Sequence, residues 1–238
     1  MTDETAPKKP RKKKPDAPEA AASRPEPGYS LKENIVAAAL KHAAFDGFTA
    51  KVLEQAGKEV GADRETIAEL FPDGPLSLVE AFSRSVDAEM EKRLKAKDIP
   101  SMKIRDRIKE AVLTRLEILK PNKEAARRAA AMLTLPPHVP LATKLLYRTV
   151  DSMWHAAGDT STDFNFYTKR GILAGVYSST LLRWFTDQGE GETQTKEFLA
   201  ARIENVMQFE KFKARVKEQT KDLPSLADIL GKFGVRKG

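Results

Sequence analysis

TIAELFPDGPLSLVEAF, residues 66–82, decides the fold. A short helical pattern ends at Phe71, Pro72-Asp73-Gly74 breaks it, and Pro75 opens a long amphipathic run. The same punctuation recurs outward in both directions. To the N-terminal side, SLKE (30–33) is a capping box, with Ser30 as cap and Glu33 three residues on. Capping and breaker signals predict helices near 30–46, 50–60, 64–71, 75–97, 104–120, 122–134, 138–157, 163–187, 193–219 and 225–234. The breaks fall at Gly47, Gly61, Pro72-Asp73-Gly74, Pro100, Pro121, Pro136-Pro137, Gly158, Gly189/Gly191 and Pro224. No segment sustains a period-two alternation, so the class is all-α.

Composition bounds the rest. Of 238 residues, 41% are apolar and 32% charged, which permits a core and predicts a soluble chain. No run is long and apolar enough for a membrane span. The absence of cysteine excludes disulfides, thiolate catalysis and thiolate metal sites. The start, MTDET, has two acids among its first four residues and no apolar h-region, so neither a secretory signal nor a mitochondrial transit peptide is expected. A bacterial-type cytoplasmic protein follows.

The net charge of +7 is unevenly placed. Residues 1–28 carry seven Lys/Arg and five Asp/Glu, residues 211–238 eight and three, and the middle 26 of each. Residues 1–28 also hold six prolines and the run KKPRKKK (8–14), the composition of a disordered basic tail. The expected organisation is therefore a tail over 1–28, helix-turn-helix-like helices over 29–97, a bundle over 98–220 and an amphipathic tail over 221–238.

Three short helices followed by a longer one make the N-terminal part resemble TetR regulators, whose pattern at the opening segment is T-L-Y-x-x-F-x-x-K-x-x-L. This chain keeps Thr66, Ile67, Phe71 and Leu78 but has Ala68 for the Tyr and Gly74 for the Lys. The 63–71 helix sets Asp63, Glu65 and Glu69 against Arg64, a balance of −2. Phosphate neutralisation supplies most nonspecific nucleic-acid affinity, so no nucleic-acid binding is expected from this face.

MWHAAGDTSTDFNFYTKR (153–170) reads as a helix end at Gly158 and a new helix capped by Asp163, with aromatic residues packed around the cap. With the kinked entry Leu135-Pro136-Pro137-His138-Val139-Pro140, it resembles the signature of the coenzyme Q biosynthesis accessory family, the ninth Coq protein. The resemblance covers roughly Ser30 to Ala201. It implies a TetR-like fold that binds an isoprenoid quinone precursor or other lipid and assists a ubiquinone-pathway hydroxylase. It places the partner face on Asp151, Met153, Asn165, Phe166, Tyr167 and Leu116. Relatives carry Trp where this chain has Phe166, so an indole N–H is lost there. Trp154 reads as core, as an aromatic stripe at helical spacing usually does.

The apolar faces Ile104, Ile108, Val112, Leu116, Leu119; Leu141, Leu145, Leu146, Val150; and Ile172, Leu173, Val176, Leu181 can close a bundle. Periodicity does not distinguish a filled core from a lipid tunnel; the resemblance implies the tunnel, and Leu119, Leu145, Leu173 and Val176 are its expected lining. His42, His138 and His155 are isolated. Asp151, His155 and Asp159 share one helix face, but one His with two Asp is a poor metal site, and His155 is expected to be oriented by a neighbouring Asp. No catalytic residue, metal or cofactor is expected. In the tail, Leu226, Ile229, Leu230 and Phe233 form an apolar stripe rimmed by Lys/Arg, as in an interfacial membrane helix. The leading expectation is thus a lipid-presenting accessory protein, peripheral to the inner membrane. TetR-like bundles dimerise through their last helices, so a homodimer is expected. The alternative is a TetR-type ligand-responsive regulator.

Overall fold

The computed structural model describes residues 30–160 and 164–220, with side chains left undescribed at 164, 165, 210, 213, 214 and 216–220. The expected tail over 1–28, the Asp163 cap and the stripe of Leu226, Ile229, Leu230 and Phe233 lie outside the described residues.

Helices begin where a side chain can satisfy the first free backbone N–H groups. At α1 (Leu31–Asp46) the Ser30 hydroxyl accepts from Glu33 N, and the Glu33 carboxylate accepts from Ser30 N at 2.7 Å. Thr49 caps α2 (Ala50–Glu59) and Asp63 caps α3 (Arg64–Leu70), accepting from Thr66 N at 2.7 Å. That bond from the Thr66 backbone holds the Asp63 carboxyl below its ordinary pKa. Gly74, at φ +55, then turns the chain into α4 (Pro75–Lys95), with Pro75 in the first turn where its missing N–H costs nothing.

The other prolines act similarly. Short 3-10 turns at Ile99–Ser101, Lys120–Asn122 and Pro136–His138 each take a proline early and lead into α5 (Ile104–Leu119), α6 (Lys123–Leu133) and α7 (Val139–Ala156). The last two helices are α8 (Phe164–Thr186) and α9 (Thr193–Thr220). All nine elements lie within two residues of the helices expected over 30–219, and no strand occurs among the described residues.

The α2–α3 corner depends on one glycine. An ideal Cβ on Gly57 would lie 2.2 Å from Cδ1 and 2.7 Å from Cγ1 of the buried Ile67, so a larger residue there forces the Ile67 side chain to shift. The core runs on from there. Helix α1 packs on α2, α4 and α6; α4 packs on α5 and α7; α7 packs on α8, and α8 on α9. Ile35, Leu78, Met90, Val112, Leu116, Met153, Trp184 and Leu199 are all at most 2% exposed.

Arg115 is buried among these apolar side chains. Its guanidinium donates to Asp87 at 2.8 Å, to Ser83 at 3.2 Å and to the Tyr177 hydroxyl, and the Thr149 hydroxyl donates to Asp87 at 3.1 Å. Burial opposes the arginine charge, but Tyr177 and Asp87 more than offset it and hold its pKa above the ordinary value. This knot ties α4, α5, α7 and α8 together. No buried side-chain N or O atom among the described residues lacks a partner.

Candidate functional site

The site is the corner between α7 and α8. Helix α7 ends in a Schellman arrangement: Asp159 N donates to Trp154 O at 3.0 Å and Gly158 N to His155 O at 2.9 Å, with Gly158 at φ +82. Arg107 closes the end by donating to Ala157 O at 2.9 Å. A Cβ on Gly158 would approach the same guanidinium to 3.3 Å, a second reason for glycine there.

Arg170 organises the corner from α8. It is 2% exposed and donates to Asp151 Oδ1 at 2.5 Å, to Asp159 Oδ2 at 3.1 Å and to the Phe166 carbonyl at 3.3 Å. Its guanidinium lies over the Phe166 ring, 3.4 Å from the centroid. Phe166 meets Tyr167 edge-on with centroids 5.2 Å apart, and Tyr167 is 67% exposed. Beside them Lys169 pairs with Asp159 at 2.7 Å, and the Trp154 indole donates to the Lys169 carbonyl at 3.2 Å. The result is a fixed charged base bearing a projecting aromatic pair, which suits docking of a partner surface.

The expected partner residues divide. Asp151, Phe166 and Tyr167 come together here; Asn165 is in α8, but its side chain lies outside the described ones. Met153 and Leu116 do not belong to the surface. Met153 is fully buried because Val150, Met153 and Ala157 form the inner stripe of α7. Leu116 is 2% exposed, on the α5 stripe with Val112 and Leu119. Trp154, expected as core, is only half-buried and belongs to the corner. The carboxylates of Asp151 and Asp159 both face Arg170, and His155 donates through Nδ1 to the Asp151 carbonyl at 2.9 Å. Arg170 itself was missed in the sequence. A basic residue next to Lys169 in an aromatic helix start shows no sign of burial, although the two aspartates at 151 and 159 were a cue.

The expected lipid lining also divides. Leu119, Leu145 and Leu173 are packed into the core at 3–5% exposed, and none of them lines the groove between α8 and α9. Val176 instead lines an open groove of about 530 Å³ between α8 and α9. Ile172, Gly175 and Ser179 complete the α8 wall, and Arg202, Asn205, Val206 and Phe209 form the opposite one. Gly175 leaves open space where a side chain would stand. Phe209, Phe212 and Leu182 are exposed on the same pair of helices, at 61%, 64% and 65%.

The fold defines the class. A TetR transcriptional regulator from Nitrosomonas europaea superposes with a TM-score of 0.59 at 19% identity, over 73% of this chain and 95% of that one. The chain is therefore an all-helical bundle of TetR-like fold. The COQ9 family model matches residues 139–210, which hold the whole groove and all of the corner except Arg107. The protein named ubiquinone biosynthesis protein COQ9, mitochondrial, is 35% identical in Bos taurus, over 74% of this chain and 57% of that protein. The human protein of that name is 32% identical, over 74% of this chain and 58% of its own length. The chain belongs to the COQ9 family. It spans a little under three fifths of the length of these relatives.

Proposed function

We propose that this chain serves ubiquinone biosynthesis as an accessory protein with no catalytic residues of its own. It holds an isoprenoid quinone precursor in the α8–α9 groove and presents it to a hydroxylase docked at the α7–α8 corner. The observation that carries this reading is the adjacency of the two features on α8. Arg170, Phe166 and Tyr167 lie within the two turns that precede Ile172, the first groove residue. An open groove of this volume has room for an apolar ligand lying along it, and an isoprenoid tail would extend along the exposed Phe209 and Phe212. The regulator alternative is disfavoured by Asp63, Glu65 and Glu69 on α3, all of which are exposed.

Solvent extraction of the purified full chain, followed by mass spectrometry, tests the reading. Isoprenoid lipid is expected in stoichiometric amount, and Gly175→Phe, which fills the groove, is expected to lose it while remaining folded. Preparations free of lipid, or retention of lipid by Gly175→Phe, would overturn it.

A further inference from the structure

The charge of the bundle is gathered in one place. Residues 92–107, from the last turn of α4 to the first turn of α5, carry seven Lys/Arg and two Asp, a balance of +5 in a chain whose middle is otherwise neutral or acidic. Lys92, Arg93, Lys95, Lys97, Lys103 and Arg105 are all exposed. Lys95 and Lys103 make no ion pair among the described residues. Two apolar side chains stand among these charges: Met102 is 37% exposed and Ile104 45%.

This segment is held in shape. Ile99 anchors it in the core at 4% exposed, and the Ser101 hydroxyl donates to Asp98 O at 2.8 Å. Arg107 staples it by donating to Met102 O at 2.8 Å and Pro100 O at 2.6 Å, while its third bond reaches Ala157 O at the α7–α8 corner. The basic segment and the corner therefore share one end of the bundle. The groove begins near the same end, since Ile172 lies two residues beyond Arg170. Six residues join α8 to α9, and Arg183 bonds Gln194 at that turn, so α9 returns antiparallel and its residues 202–209 face the early part of α8.

We propose that residues 92–107 form a contact site for an anionic lipid bilayer that seats the bundle with the groove mouth at the membrane. Lysines and arginines neutralise lipid phosphates, while Met102 and Ile104 enter the headgroup region. A turn that does not line the groove, with unpaired lysines around two exposed apolar chains, fits a fluid charged surface better than a shaped acidic protein. This contact rests on the lipid-carrying reading but is separate from the groove, and from the expected helix over 225–234.

The test uses vesicles of phosphatidylcholine alone and of equal parts phosphatidylcholine and phosphatidylglycerol. The chain has no cysteine, so Met102→Cys can carry a single polarity-sensitive label, with Glu69→Cys on the acidic α3 as control. The label at 102 is expected to shift to the blue on anionic vesicles only, and the label at 69 to stay aqueous. In the full chain, Lys95→Gln with Lys103→Gln should weaken partitioning about fivefold per lysine and about thirtyfold together, with an unchanged melting temperature. Both effects should fade as salt is raised. A label at 102 that stays aqueous while the protein sediments, unchanged partitioning of the double variant, or no sedimentation at all would overturn the proposal. So would a shift produced by the hydroxylase and not by vesicles. Extracted lipid measured in the same variants separates this outcome from failure of the groove reading.

Discussion

Arg115 and Arg170 are nearly equally buried, at 5% and 2% exposed, yet they serve different ends. Arg115 sits where four helices cross, and all its partners face inward: Asp87 and Ser83 from α4, Tyr177 from α8, with Thr149 of α7 completing Asp87. Arg170 sits at an edge. One of its aspartates, Asp151, is 30% exposed at the side chain, and its face carries Phe166 beside the exposed Tyr167. The same ionic chemistry thus locks a core in one place and braces a surface in the other. Depth decides which, because it fixes whether water can replace a lost partner.

The largest expected effect is at the core knot. Arg115→Met leaves Asp87 charged and enclosed, and breaking a buried pair in this way costs about 3–5 kcal/mol. Urea unfolding should show the loss, and adding Asp87→Leu should recover much of it, since an apolar replacement of both partners is often neutral. A loss below about 1 kcal/mol for Arg115→Met would mean that water reaches the knot, and the contrast with Arg170 would collapse.

At the corner the expected loss is smaller, about 2–3 kcal/mol for Arg170→Met, because the partly exposed Asp151 can rehydrate and the buried Asp159 keeps Lys169 as a partner. Its distinguishing consequence is functional. Hydroxylase capture should fall more than in Arg115→Met at matched stability. Arg170→Lys should keep part of the stability but little of the capture, since an ammonium cannot bridge two carboxylates and cover a ring as a planar guanidinium does. Full capture by Arg170→Lys would leave Arg170 as a folding residue only.

Gly57→Ala sharpens the comparison from a third place. Overpacking against Ile67 costs about 1–3 kcal/mol, and the better helix propensity of alanine returns up to about 1 kcal/mol. The net loss should appear in thermal unfolding and shrink in an Ile67→Ala background, which lacks both contacting atoms, with hydroxylase capture unchanged. Altered capture at equal stability would couple the N-terminal helices to the corner.

The helices were legible because their boundaries are local. Ser30, Gly47, Gly74 with Pro75, Pro100, Pro121 and Gly158 each act within a few residues, through a cap, a left-handed turn or a missing N–H. The site was less so. Asp87, Arg115 and Tyr177 meet across 28 and 62 residues, and nothing near Arg115 in the chain marks it as buried. Tyr167 and Phe166 were expected at the surface from the family resemblance. The resemblance put Met153 and Leu116 on the partner face, whereas the helical period already set Leu116 on an inward apolar stripe, where both are buried. Leu119, Leu145 and Leu173, expected to line a tunnel, are core residues, and an apolar stripe reads alike whether it packs on side chains or lines a void.

Tyr167→Ala is the smallest expected perturbation of the fold and the most direct probe of the surface side of the contrast. The ring is 67% exposed, so its removal forfeits little burial, and surface substitutions usually stay within about 0.5 kcal/mol. The edge-on contact with Phe166 adds at most about 1 kcal/mol, since the pair is not enclosed. The bonds that Arg170 makes to Asp151, Asp159 and the Phe166 carbonyl do not involve Tyr167. Melting temperature should therefore barely move. An exposed aromatic anchor contributes about 2 kcal/mol or more when it fills a partner's pocket, so capture of the hydroxylase should weaken about thirtyfold. Tyr167→Phe should recover most of that loss if the ring is the anchor, and little if the hydroxyl is. A Tyr167→Ala variant that binds the hydroxylase as tightly as the parent would leave the corner without its docking role, and the depth argument would then apply to stability alone.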